Sequence, residues 1–136
     1  MDSKQLDLVL LIDDDEVVNT LNKIILRQTG LVKDIQAVKS GSEGLQELAN
    51  YQKEDRWPAL IFVDINMPGI DGWEFIKLMG EQFKGFKGKS IINMLSSSLD
   101  PRDKEKANKS TLVDGIISKP LSHEVVIDLC EKYYDL

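Results

Sequence analysis

The sequence predicts an α/β fold built on a parallel sheet with helices on both faces. Three observations carry that prediction. Short apolar runs alternate with helix-period segments from end to end of the chain, as right-handed crossovers between parallel strands require. The runs are apolar on successive residues, which suits strands covered on both faces. Two of the strongest runs stop abruptly at aspartate.

The first run, Leu8-Val9-Leu10-Leu11-Ile12, ends at Asp13. Val17, Val18, Leu21, Ile24 and Ile25 follow at i, i+1, i+4, i+7 and i+8, the spacing of one apolar helix face, and Gly30 supplies a C-terminal stop. Asp34-Ile35-Gln36-Ala37-Val38 reads as a weaker, edge-like strand. Leu45, Leu48 and Ala49 mark a second helix, with Ser42 as its candidate cap. Leu60-Ile61-Phe62-Val63 is the second strong run, stopped by Asp64. Phe75, Ile76, Met79 and Phe83 mark the third helix, and Lys84-Gly85-Phe86-Lys87-Gly88-Lys89 reads as a flexible basic loop. Ser90 to Leu95 forms the fourth strand. Pro101 to Lys109 has one apolar residue, Ala107, and reads as a poorly anchored, mobile helix. Gly115-Ile116-Ile117-Ser118 is the fifth strand. Val125, Val126, Leu129, Cys130 and Tyr133 mark the last helix, with Ser122 as its cap.

With 136 residues and 15.4 kDa, the chain is expected to form one domain, with a core over about residues 6–134 and no output domain. A composition of 42% hydrophobic and 29% charged residues is that of an ordinary globular protein and argues against disorder. The net charge of -6 argues against nucleic acid and anionic membranes as partners. A single cysteine, Cys130, points to a reducing compartment. The polar opening Met1-Asp2-Ser3-Lys4-Gln5 lacks the features of a signal peptide, and no apolar run reaches the ~18 residues of a membrane span. The expected location is the cytoplasm.

In open parallel sheets, ligands bind beyond the carboxyl ends of the strands. Here the first strand ends in Asp13-Asp14-Asp15 and the third in Asp64. If those strands are neighbours, several carboxylates meet in one pocket, and their mutual repulsion calls for a cation. A set of hard oxygen ligands suits Mg²⁺. Acids that merely begin a helix, where the dipole favours them, account for Asp15 and Glu16 but leave Asp64 unexplained. Ser96 after the fourth strand could donate to an anion, and Lys119 after the fifth supplies a positive charge.

Taken together, Leu11-Ile12-Asp13-Asp14-Asp15, Val63-Asp64-Ile65-Asn66-Met67-Pro68-Gly69-Ile70-Asp71-Gly72, Leu95-Ser96-Ser97 and Ser118-Lys119-Pro120 make the chain resemble the receiver domain of two-component response regulators, over essentially its whole length. The resemblance implies a three-layer, doubly wound (βα)5 fold with a five-stranded parallel sheet in the flavodoxin-like order 2-1-3-4-5. It implies that Asp64 is the phosphoacceptor. Mg²⁺, with Mn²⁺ able to substitute, would be held by Asp14 directly, by Asp13 partly through water, by Asp64 and by the backbone carbonyl of Asn66. Lys119 would pair with the phosphoryl oxygens, aimed inward by a cis bond to Pro120. The hydroxyl of Ser96 would swing to the phosphoryl group and bias a surface loop and helix. Relatives often couple that swing to an aromatic side chain at the position of Ile116, so the aromatic form of the switch is not expected here. Asn66 and Ser98 occupy the places that tune attack by water; neither carries a carboxylate, so hydrolysis should be neither exceptionally fast nor blocked.

The resemblance implies a switch that catalyses only its own phosphorylation and slow dephosphorylation. Its donor would be a sensor histidine kinase and its target an effector or a histidine phosphotransfer protein, the latter if the domain is a phosphorelay intermediate. A phospho-aspartate phosphohydrolase would need a general acid two residues after the nucleophile, where Asn66 stands. Gly88-Lys89-Ser90 is not a P-loop, because Phe83 takes the place of the required first glycine and the triplet precedes a strand. His123 is read as a surface or capping residue. Trp73, beside the acidic loop, is a candidate fluorescent reporter.

Overall fold

Strands and helices alternate without exception: β1 (Leu6–Ile12), α1 (Glu16–Thr29), β2 (Val32–Val38), α2 (Gly41–Glu54), β3 (Leu60–Asp64), α3 (Gly72–Gln82), β4 (Ile91–Ser96), α4 (Pro101–Lys109), β5 (Gly115–Ser118) and α5 (His123–Tyr134). The structure is a computed structural model and describes residues 4–136; Met1-Asp2-Ser3, part of the opening read for a signal peptide, lies outside the described residues. The five strands are all parallel and lie in the order β2-β1-β3-β4-β5, as the resemblance implies. β2 begins two residues earlier than the sequence suggests, and β4 runs one residue later at each end.

The central strands are buried on both sides because successive residues serve two different cores. Leu8, Leu10 and Ile12 of β1 pack with Leu48 of α2 and Phe75, Ile76 and Met79 of α3. Val9 and Leu11 pack on the other face with Leu26 of α1 and Val126 and Cys130 of α5. The three layers are thus α2, α3 and α4, then the sheet, then α1 and α5.

Strand register positions the acids. Ile12 pairs with Val63, so the next residue on each of these neighbouring strands is an aspartate, Asp13 or Asp64. Ser96 pairs with Ser118 on the adjoining β4–β5 ladder, which brings Lys119 to the same sheet edge.

Two local expectations are corrected. The cap of α2 is Ser40 rather than Ser42: the Ser40 hydroxyl accepts from the Glu43 amide at 3.1 Å, and Glu43 accepts from the Lys39 amide at 3.0 Å. Both ends of this capping box are satisfied, which a cap at Ser42 would forgo. The second correction concerns α1. Val17, Leu21 and Ile24 are exposed and Val18 and Ile25 half-buried, while Asn19, Asn22 and Leu26 face the protein. The buried asparagines meet backbone groups where the helix crosses chain turns. The Asn19 amide donates to the carbonyls of Asp13 and Val38 at 2.9 and 3.2 Å, and Asn22 Oδ1 accepts from the Leu121 N–H at 3.1 Å. An apolar residue at position 19 would remove the side-chain donor from the Asp13 carbonyl and leave the Val38 carbonyl only the Asp13 N–H, and one at position 22 would strip the Leu121 N–H of its acceptor. Replacing Asn22 by alanine is expected to destabilise the fold by about 2 kcal/mol, because the Leu121 N–H loses its acceptor; urea denaturation monitored by circular dichroism measures it.

The remaining caps follow the sequence. Asp15 caps α1, Gly30 ends it in the left-handed conformation at φ 70°, and Ser122 caps α5. α4 is a helix with only Ala107 buried, begun by Asp100 and Pro101. Its second attachment is a hydrogen bond from Trp73 Nε1 of α3 to Asp103 Oδ1 at 3.0 Å.

Candidate functional site

Asp13 and Asp64 are buried at the ends of β1 and β3, with Asp14 exposed beside them. Each of the three offers a carboxylate oxygen, and these oxygens lie within 4.8 Å of one another. Lys119 reaches in from the end of β5 across a cis Lys119-Pro120 bond. Its Nζ stands 2.9 Å from Asp13 Oδ2 and 3.0 Å from Asp64 Oδ1.

Backbone N–H groups hold the two buried carboxylates in place. Asp13 Oδ1 accepts from the Asp15 amide at 2.9 Å, and Asp64 Oδ1 from the Asn66 amide at 3.2 Å. Asp64 Oδ1 is therefore occupied twice, and Oδ2 is the less encumbered oxygen.

The loop after β3 doubles back tightly. The Gly72 amide donates to the Ile65 carbonyl at 2.8 Å. A Cβ at Gly72 would lie 2.5 Å from the Asp64 carbonyl oxygen and 2.8 Å from Ile65 Cα, so only glycine fits there. Asp71 caps α3 through the Glu74 amide at 2.8 Å. The Asp71-Gly72-Trp73-Glu74 spacing is a capping signature, and it would have located this turn in the sequence.

Burial sets the electrostatics. Loss of hydration pushes the Asp64 carboxyl up from near 3.8 to about 6; the Lys119 ammonium pulls it down and the Asp13 charge raises it again. Burial disfavours the charge on Lys119, but the hydrogen bonds and charges of Asp13 and Asp64 more than offset this and hold its ammonium above the usual lysine value. A hard, all-oxygen donor set with two buried carboxylates fits a divalent cation such as Mg²⁺.

Four of the residues singled out in the sequence, Asp13, Asp14, Asp64 and Lys119, are brought together. Ser96 is buried at the end of β4, but its hydroxyl donates to the Ser98 carbonyl and accepts from the Ser98 amide at 3.2 Å, so it is turned toward its own loop. Ile116 is half-buried and packs against the α2–α3 side of the core; Asn66, Ser98 and Pro120 are exposed. His123 is exposed at the start of α5 and contacts Gln28 at 2.7 Å. Sequence reasoning missed Asn19, whose amide fixes the carbonyl of Asp13 itself.

A family model described as the response regulator receiver domain matches residues 9–131. The chain belongs to that family. Among solved structures, the receiver is similar to a two-component response regulator from Cytophaga hutchinsonii, with 47% identity, a TM-score of 0.93, and 98% of this chain and 100% of that one covered. It is 31% identical to protein PilG of Pseudomonas aeruginosa over 88% of this chain and 81% of that protein. It is also 31% identical to the hybrid signal transduction histidine kinase F of Dictyostelium discoideum, over 94% of this chain but only 11% of that kinase. Among its described residues the receiver has no helix long and apolar enough to cross a membrane.

Proposed function

We propose that this receiver is a phosphoryl-accepting switch in which Asp64 takes a phosphoryl group from a phosphohistidine of a sensor kinase. The observation that carries this reading is the setting of Asp64: buried at a strand end, held through Oδ1 by Lys119 and a backbone N–H, with two further carboxylates alongside. Asp64 Oδ2 attacks phosphorus, the P–N bond to the donor imidazole breaks, and the imidazole leaves as the acyl phosphate forms. Lys119 moves its charge toward the incoming phosphoryl oxygens. Asp13, Asp14, Asp64 and the Asn66 carbonyl would hold Mg²⁺, or Mn²⁺ in its place, which when bound supplies charge neutralisation to the phosphoryl oxygens.

The Ser96 hydroxyl then exchanges its Ser98 carbonyl for a phosphoryl oxygen, and the loop leading to α4 relaxes with it. Asn66 has no titratable side chain, so the acyl phosphate accumulates as a signal rather than turning over as in a phosphohydrolase. The exposed stripe Val17, Leu21 and Ile24 begins one turn from the acids and offers a seat for the histidine-bearing partner. A single buried thiol and an acidic surface are consistent with action in the cytoplasm.

Incubation with Mg²⁺ and acetyl phosphate tests the reading. Intact mass should rise by one phosphoryl group, require the cation, and stay unchanged in Asp64→Asn. A wild-type protein that gains no mass would overturn it.

The raised Asp64 value has a second consequence. Between about pH 4 and 6 the folded protein holds this proton more tightly than the unfolded chain, so stability falls as pH rises through that window and stays lowered above it. Asp64→Asn, uncharged throughout, is expected to exceed wild type in stability by on the order of 1–2 kcal/mol at pH 7 without divalent cations. The advantage should shrink toward pH 4. Urea titrations at the two pH values measure it, and an advantage independent of pH would contradict the assignment.

A further inference from the structure

We propose that the groove between α3 and α4 is a docking site for an acidic segment of a partner protein, one that inserts an apolar side chain as its anchor. The groove is a shallow, open depression of about 510 Å³, floored by Trp73, Ile76 and Leu112 and rimmed by Lys77, Lys106 and Lys109. No carboxylate lines it. On a chain of net charge -6, three cations about one apolar trough form a local reversal of sign. That reversal specifies the chemistry of the occupant.

The three lysines are available. Lys77 makes no ion pair among the described residues. Lys106 lies over the Trp73 ring, its Nζ 5.7 Å from the centroid, where it can turn outward to a carboxylate. Lys109 pairs with Glu105 at 2.7 Å, an exposed contact one helical turn away that contributes little and exchanges readily. Asp103, the acid facing Trp73 from α4, is already engaged by the indole N–H at 3.0 Å.

The apolar floor explains why charge alone is not the readout. Trp73 and Leu112 are half-buried, and α4 contributes only Ala107 to the core, so one wall of the trough is never filled from within. An inserted leucine or phenylalanine would cover that surface in the manner of an interface anchor. The Ser110 hydroxyl oxygen at the end of the trough accepts from the Leu112 and Val113 amides, each at 3.1 Å. The groove starts at the residue after Gly72 and is separate from the acid pocket, so its test does not depend on phosphorylation.

The test is a titration of the isotope-labelled full chain with a short synthetic peptide, a central Leu-Phe pair flanked by Asp and Glu. Amide shifts should concentrate at residues 73–77 and 106–112 and include the Trp73 indole. Lys106→Glu combined with Lys109→Glu, both exposed, should weaken binding by about tenfold or more, with circular dichroism confirming that the variant folds and Lys106→Gln with Lys109→Gln as the milder companion, expected to weaken binding less. A peptide with Lys in place of the acids should bind that variant better than it binds wild type. Replacing Leu-Phe by Ser-Ser should abolish the shifts. The proposal is overturned if millimolar acidic peptide leaves these resonances unmoved or shifts a different face. It is equally overturned if the charge-reversed variant binds as wild type does, or if a DNA oligonucleotide binds the groove as well as the peptide. Concentration-dependent self-association through these residues without peptide would assign the groove to a second copy of the chain and overturn it too.

Discussion

Gly72→Ala is expected to destabilise the receiver by about 3 kcal/mol and to slow the proposed acceptance of a phosphoryl group by Asp64 on the order of a hundredfold. The added methyl would meet the Asp64 carbonyl oxygen at 2.5 Å and Ile65 Cα at 2.8 Å, and both are backbone where β3 passes into its loop. Neither can swing aside as a side chain does, so the loop must shift and carry the Asp64 carboxylate with it. The hydrogen bond from the Gly72 amide to the Ile65 carbonyl lengthens in the same movement. Gly80→Ala is the control, since its Cβ would meet the flexible end of Leu112 at 2.6 Å. That variant should stay within about 1 kcal/mol of wild type, the methyl's helix preference offsetting the contact. Urea denaturation gives the two stabilities, and intact mass after timed exposure to acetyl phosphate gives the rates.

Lys119→Met should have an effect of similar size by a different route. It leaves Asp13 and Asp64 buried together without the ammonium that stands 2.9 and 3.0 Å from them. Breaking a buried pair in this way costs about 2–3 kcal/mol, allowing for the partial exposure of the lysine. The Asp64 carboxyl, already near 6, should titrate higher still once the ammonium that lowers it is gone. The loss in stability should therefore be largest at pH 7 and fade below pH 5, where protonation relieves the repulsion. Added Mg²⁺ should close part of the gap at neutral pH by binding the folded form. A deficit that neither acid nor Mg²⁺ reduces would show that the lysine matters for packing rather than for charge.

The strands were legible because their chemistry changes within one residue: Ile12 gives way to Asp13 and Val63 to Asp64. Which strands adjoin was not written in the runs themselves; that came from the resemblance, and the β1–β3 ladder bears it out. The acid pocket followed from both. The Ser96 hydroxyl was harder to read, since its partner is a carbonyl on its own loop and loop conformation leaves no periodic trace. The inward face of α1 was misread for a physical reason. Apolar spacing identifies a stripe of helix, whereas burial here is decided by backbone groups of Asp13 and Leu121 that pair with side chains of α1, and those lie outside the helix. The Trp73–Asp103 link between α3 and α4 spans 30 positions of sequence and had no local signature at all.

The two asparagines of α1 bear on how freely this domain can change its surface. The helix carries two faces fit for burial, the outward Val17, Leu21 and Ile24 and the inward Asn19, Asn22 and Leu26, about 160° apart around the axis. Greasiness alone favours the wrong one. Because directional bonds choose the rotation, the outward residues carry no share of the decision, and selection can rewrite them without re-aiming the helix. A lineage could exchange one set of outward side chains for another, and with it the company the domain keeps, while the acids at the strand ends stay where they are.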